Sequence, residues 1–284
     1  MDSDNVCCIR SIQAGIIMKI ALVNDTFLGK ATTGGGHFGC ELVMDTFDEH
    51  LDRCGHTIVQ RVGSHEHSFK ISPEADLVIV NGEGSLHHDR RKELIAVAKE
   101  APSILVNTVW QDNSSTDGLE HFKFISVRES LSAEQLGECE VIPDMLYGNS
   151  WLWSRLPTFH HKPEYMSTLI TDSVTKQGQY SFYSAINSAV DVINTLLKHY
   201  NVCTGRYHIA VACSILGIPF SCYPSNTHKI EGMLKDAGCS RLMFKSYLLA
   251  LEGCPTEFDN NLFFYAKTAR SKVESLFDRL ESFA

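Results

Sequence analysis

Residues 204–229 read TGRYHIAVACSILGIPFSCYPSNTHK, and within them positions 209–216 are almost wholly apolar. A helix that is apolar on every side has to be buried on every side, so the fold must supply layers around it. Arg206 and His208 stand at the mouth of that helix. A charge placed there serves something other than solubility. The helix start at Thr204 and Gly205 offers unpaired N–H groups and a partial positive charge. Arg206 adds a full charge on a planar fork suited to carboxylate or phosphate. A second polar entrance, Ser225, Asn226, Thr227, His228 and Lys229, follows one short strand later. Two such junctions close together describe a site for a small, multiply charged anion.

The rest of the chain alternates short apolar runs with helical patterns. Strands are expected over 17–24, 57–61, 76–81, 103–109, 124–127 and 140–142, and helices over 40–54, 86–101 and 130–136. That rhythm argues for a parallel sheet covered on both faces. Residues 147–163, rich in aromatic residues with Gly and Pro, break the rhythm and read as a linker. Beyond it come strand 167–171, helix 183–200, strand 201–203, the Arg206 helix, strand 219–222 and helix 227–237. Ile230, Met233, Leu234 and Ala237 share one face of the last of these. Residues 262–284 form a long amphipathic helix that either packs back across the domain boundary or serves a dimer. The expected fold is α/β, with two Rossmann-like domains facing a cleft: 18–150 on the acceptor side and 151–284 on the donor side.

The 284 residues carry a net charge of −9, with no basic block longer than Arg90-Arg91-Lys92. Nucleic acid and anionic membrane surfaces are poor partners for such a chain, because both need a basic face. An anion would be held by a few local cations in a small pocket. The apolar part of IQAGIIMKIALV is too short to span a bilayer and lacks the layout of a secretory leader. Ten cysteines occur without any C-x-x-C, so reduced thiols and a cytoplasmic location are expected. A domain opening is read at Met18, with residues 1–17 as an extension or an upstream start.

Further places invite chemistry. Asn81-Gly82-Glu83-Gly84-Ser85-Leu86-His87 follows the apolar strand LVIV. A strand, a glycine turn and then a helix let a ligand approach the backbone at the carboxyl edge of a sheet. The loop is neither a P-loop nor a dinucleotide fingerprint, and a tight turn without a ligand is the alternative. A second glycine entrance, Gly34-Gly35-Gly36-His37-Phe38-Gly39, either lines the cleft or makes a surface connection. Arg128 leaves strand 124–127 at its carboxyl end and points to the cleft, or else pairs with Glu129 on the surface. Asp144 binds sugar hydroxyls or ties down the linker. The pairs around His65 and His67, His87 and His88, and His160 and His161 lack zinc-protease spacing, and no metal is expected. His208, two residues after Arg206, is placed to donate a proton, a satisfied core histidine being the alternative.

TGRYHIAVACSILGIPF with SNTHKIEGML, and upstream NGEGSLHHD, SVRES and the Pro-Asp of VIPDM, resemble in order the motifs of the polysaccharide pyruvyl transferase family, over roughly residues 18–238. The resemblance implies a fold similar to the glycosyltransferase B type. It also implies transfer of pyruvate from phosphoenolpyruvate onto sugar hydroxyls as a ketal, with no cofactor beyond that donor. Arg128, Arg206 and His208 match positions expected to hold the donor. His208 is then the hypothesised acid and Glu83 the base. Gly82, Gly84, Ser85, His37, Asp144, Thr204, Gly205 and residues 225–229 line the substrates. The acceptor is a glycan or lipid-linked glycan, and a homo-oligomer is compatible. Two departures stand out: the family's Asn-x-Gly-Asp loop is here His37-Phe38-Gly39-Cys40, and the second domain is compact. A nucleotide-sugar glycosyltransferase and a non-catalytic glycan-binding relative are the competing readings, the former lacking a Glu early enough in a helix to clamp a ribose.

Overall fold

The computed structural model describes residues 16–28, 37–156, 163–173, 179–182 and 187–284. Residues 1–15, the glycines at 34–36, His160 and His161, and the first turn of the helix expected from 183 lie outside the described residues. The first part of the chain runs β1 (Lys19–Asp25), α1 (Phe38–Arg53), β2 (Thr57–Gly63), β3 (Leu77–Asn81), α2 (Glu93–Ala96), β4 (Ser103–Thr108), β5 (Phe124–Val127), α3 (Ser130–Leu136), β6 (Glu140–Val141) and α4 (Ser150–Ser154). The second part runs β7 (Tyr165–Ser173), α5 (Ala189–Lys198), β8 (His199–Gly205), α6 (Tyr207–Leu216), β9 (Phe220–Cys222), α7 (Lys229–Asp236), α8 (Tyr247–Glu252) and α9 (Asn260–Asp278).

The first six strands form one parallel sheet in the order β2-β1-β3-β4-β5-β6. Successive strand residues face opposite ways. Ile20, Leu22, Ile79, Ile104 and Val106 join a core with Phe47 of α1 and Phe277 of α9. Ala21, Val23, Val78, Val80 and Leu105 join the opposite core with Leu94, Val97, Trp110 and Leu119. The apolar runs are therefore continuous because both faces are covered. Strand order reverses between β1 and β3, and the carboxyl ends beside such a reversal are where open sheets of this kind bind ligands. This is an α/β architecture compatible with a Rossmann-like fold.

Strands β7, β8 and β9 make a second parallel sheet of three strands. All ten residues of α6 are buried, as an all-apolar helix requires. The two sheets share one apolar core, which includes Leu42 of α1, Val211 of α6 and Val273 of α9. Helix α9 packs back on the first half, where Arg53 meets Asp278 at 2.9 Å and Arg279 meets Glu140 at 2.6 Å. Among the described residues no helix is long and apolar enough to cross a membrane.

Three expectations need correction. The helix expected over 86–101 forms only as α2 and a 3-10 turn, Val97–Lys99. His88, Asp89 and Arg91 adopt positive φ of 54°, 58° and 51°, which no helix can pass through. Arg91 holds that turn by donating to the carbonyls of Ser64 and Glu66. The expected linker is packed structure as far as α4. Tyr147 is fully buried, its hydroxyl 3.2 Å from that of Ser214 in α6, and Asn149 donates to the Leu42 carbonyl at 3.1 Å. The helix expected over 183–200 starts at Ala189, where Ser188 caps it, and gives way to β8 at His199. His199 and Tyr200 thus join the strand expected over 201–203.

Candidate active site

Both sheets point strand ends at one hollow of about 210 Å³, lined by His37, Cys40, Glu83, Gly84, Arg128, Arg206, Tyr207, His208 and Lys229. Its size falls below that of pockets for drug-sized ligands, so its occupant is a small molecule or the reacting end of a larger one. Larger hollows of about 670 and 540 Å³ lie at the outer margins of the first sheet. They bring no buried set of cations and acids together.

Arg128 is carried to the hollow by the carboxyl end of β5. It is 1% exposed, donates from Nη1 to Asp144 Oδ2 at 2.5 Å, and lies 5.0 Å over the Tyr207 ring. Its Nε is buried with no hydrogen-bond partner among the described residues. Burial pushes the Asp144 carboxyl up, but Arg128 and His208 outweigh it and hold it well below the usual carboxylate range. Glu129, the alternative partner weighed for Arg128, instead caps α3 by accepting from Ser132 N at 2.9 Å.

Arg206 precedes α6, whose first turn receives no side-chain cap. Its guanidinium donates through Nε at 2.9 Å, and also through Nη2, to one oxygen of Asp172 at the end of β7. The His208 imidazole is nearly buried. Its Nε2 stands 3.6 Å from Glu83 Oε1 and 3.6 Å from Asp144 Oδ2, and makes no hydrogen bond among the described residues. The ring nests against Gly39, where a β-carbon would overlap it. Lys229 is 8% exposed at the head of α7 and donates to Asn226 Oδ1 at 2.7 Å. Burial, with Arg128 close by, lowers its pKa to about 7.

Glu83 is positioned by its neighbours. Oε2 accepts from the Thr26 hydroxyl and from Asn81 Nδ2 at 3.3 Å, and Oε1 lies 3.3 Å from Cys40 Sγ. Asn81 is held in turn by Asn107, whose Nδ2 donates to its Oδ1 at 2.9 Å. Asn24 and Asn107 take positive φ, 65° and 59°, at the ends of β1 and β4, a conformation Asn tolerates better than most residues.

Of the site residues expected from sequence, His37, Glu83, Gly84, Arg128, Arg206, His208 and Lys229 meet at the hollow. Others take supporting places. Asp144 is fully buried beneath it on Arg128 and caps the turn Met145–Gly148, so it does not reach a sugar. Thr204 bonds Thr171 at 2.6 Å and accepts from Arg206 N at 3.0 Å. Gly82 and Gly205 are close-packing positions, where a β-carbon would strike Thr108 and Tyr223. Ser85 accepts from Asn24 at 3.1 Å. Asn226 acts through Lys229, and Ser225 donates to Asn226 at 3.3 Å. Thr227 is buried with an unpartnered hydroxyl. His228 turns away from the hollow, its Nε2 3.2 Å from Ser132 Oγ and 3.4 Å from Glu129. The second junction thus supplies one cation to the site, while His228 ties α7 to α3.

Sequence reasoning passed over Asp172, Thr26, Asn81, Cys40 and Tyr207 as site residues. The signal for Asp172 was present: a carboxylate at the end of an apolar strand is the natural mate for an arginine at the next strand's end.

No family model matches the chain, and no curated protein matches it. A solved structure of an uncharacterised protein from Klebsiella pneumoniae is similar, with a TM-score of 0.55 at 16% identity over 81% of this chain and 94% of that one. At that identity the likeness shows the fold alone.

Proposed function

We propose that the protein transfers pyruvate from phosphoenolpyruvate onto two hydroxyls of a glycan, as members of the polysaccharide pyruvyl transferase family do, from a two-lobed scaffold of glycosyltransferase B type. The observation that carries the reading is the convergence of Arg128, Arg206, Lys229, His208 and Glu83 on one small hollow. A three-carbon ester bearing a carboxylate and a phosphate needs separate cationic anchors, and the uncapped start of α6 adds N–H donors.

The proposed reaction runs through these groups. Protonated His208 gives a proton to the methylene carbon of the enol, which becomes a methyl group and leaves C2 electron-poor. The first glycan hydroxyl bonds to C2 as Glu83 takes its proton. The C2–O bond to phosphate then breaks, and the second hydroxyl closes the ring. The first hydroxyl's proton passes on from Glu83 to His208, 3.6 Å away, which restores both groups, and the second hydroxyl's proton leaves with phosphate, so no oxidant or reductant is needed. Glu83 suits its part because Thr26 and Asn81 fix one oxygen while the other faces Cys40 and His208.

The test is phosphate release from phosphoenolpyruvate over a panel of saccharide diols, alongside thermal shifts with phosphoenolpyruvate and with nucleotide sugars. Phosphate release together with stabilisation by phosphoenolpyruvate supports pyruvyl transfer. Stabilisation by nucleotide sugars alone overturns it.

One observation favours glycosyl transfer as a second reading. Glu231, which sequence spacing puts too deep for a ribose clamp, lies in the first turn of α7 with Oε2 buried and unpartnered. Glu231 does not line the hollow, however, and a nucleotide would need more room than the hollow offers.

A further inference from the structure

The three cations of the hollow are not equivalent. Arg128 is matched by Asp144 and Arg206 by Asp172. Lys229 is different: among the described residues its Nζ has no carboxylate within ion-pair distance, and its hydrogen bond goes to the neutral amide oxygen of Asn226. Glu83 lines the same hollow without an arginine of its own. Each guanidinium is already answered by a carboxylate and Glu83 adds another, so with Lys229 uncharged neither arginine offers an unmatched charge to an anion. A proton on Lys229 supplies one.

We propose that Lys229 selects a doubly charged phosphate group in this hollow by taking up a proton as the ligand enters, so that anion capture and proton uptake are one event. The inference rests on the anion-binding reading given above and assigns to one residue the preference for phosphate over a single carboxylate.

The surroundings of Lys229 favour the neutral amine in the empty site. Its head is buried, and Arg128 at the carboxyl end of β5 and Arg206 just before α6 both oppose its charge, while Glu83 and Asp144 favour it. Together these leave it half-charged near pH 7, far below an ordinary lysine. His37, Cys40, Tyr207 and His208 line the same hollow, and His87 and Glu231 also lie close to Lys229. His87 stays neutral down to about pH 4, and Glu231, on the same helix, has its carboxyl raised by burial. A bound phosphate dianion beside the amine reverses the balance, because an opposite charge at contact distance favours the ammonium form. Affinity is then complete below the pKa of the empty site. It falls about tenfold per pH unit above that value until the pKa of the filled site is reached.

Calorimetric titration at about pH 8, in two buffers of different ionisation enthalpy, counts the protons. Phosphoenolpyruvate, inorganic phosphate and pyruvate are the probes, the phosphate ester being a dianion there. The wild-type protein is expected to take up close to one proton per phosphate-bearing anion, and to bind pyruvate at least tenfold more weakly. Lys229→Met is expected to remove the uptake. Lys229→Arg, charged throughout, keeps binding at about pH 8 without uptake and serves if the Met variant does not fold. Anion binding without uptake in the wild type, equal affinity for pyruvate, or undiminished uptake by Lys229→Arg overturns the proposal. Phosphate binding with uptake but no turnover of phosphoenolpyruvate leaves it standing and removes pyruvyl transfer. Turnover with an affinity flat across pH does the reverse. Failure of every anion to bind at about pH 6.5 removes both.

Discussion

The His208 imidazole occupies the space that a β-carbon on residue 39 would fill. Gly39 lies in the first turn of α1, two residues after His37, which caps that helix by accepting from Gly39 N at 3.1 Å. The glycine therefore lets the start of α1 approach the start of α6 closely enough to seat His208 between Glu83 and Asp144. The His37 ring, 5.4 Å from the His208 ring, closes the other side.

Gly39→Ala is expected to displace His208 rather than unfold the protein. A methyl group inside a helix gains about 0.5–1 kcal/mol of propensity over glycine, which offsets part of the steric cost. A shift of the imidazole by an ångström costs on the order of a hundredfold in turnover. Phosphate release and melting temperature, measured on the same variant, separate the two effects. Undiminished turnover at unchanged stability would show that the ring position is not needed.

Arg128 and Arg206 should respond differently to truncation. Arg128→Ala strands Asp144, which is wholly buried, and removing one member of a buried pair costs about 3–5 kcal/mol of stability. Arg206, with 17% of its side chain exposed at the open end of the site, is expected to cost less in stability. Its loss should weaken donor binding by about 2–5 kcal/mol. Denaturant unfolding and phosphoenolpyruvate titration on both variants check the contrast. An Arg206→Ala protein that binds the donor normally contradicts it.

His87 should make the protein acid-sensitive. It is 1% exposed, and burial, aided by neighbouring cations, outweighs a contact with the Gly84 backbone and lowers its pKa to about 4. Between the unfolded value near 6.5 and about 4 the unfolded chain holds more protons, so stability from this group is full above that window and is lost as pH falls through it. The loss is on the order of 3 kcal/mol. Between pH 6.5 and 4 the unfolding free energy of the wild type should fall by about 3 kcal/mol more than that of His87→Phe. Parallel curves would rule the mechanism out.

Much of the first sheet was legible because a strand buried on both faces leaves an unbroken apolar run, as LVIV at 77–80 does. Arg128, Arg206 and His208 were legible as charges placed at the ends of such runs. Side-chain traffic across the fold was not legible. Nothing local marks Gly39 as a seat for a histidine far along the chain, or Tyr147 as a core residue rather than linker. The false helix at 86–92 arose because periodicity does not register backbone turns. His88, Asp89 and Arg91 take positive φ there because Arg91 reaches back to the Ser64 and Glu66 carbonyls. His228 looked equivalent to Lys229 for the same reason: neighbours on a helix start leave in different directions, and here one reaches the hollow while the other reaches Glu129.

A structure of the protein soaked with phosphoenolpyruvate tests the central claim most directly. The account predicts the ligand in the hollow between the two sheets, its anionic groups on Arg206, Lys229 and the start of α6, and its methylene carbon within reach of His208 Nε2. Phosphoenolpyruvate bound at another surface, or an empty hollow at saturating concentration, would contradict it.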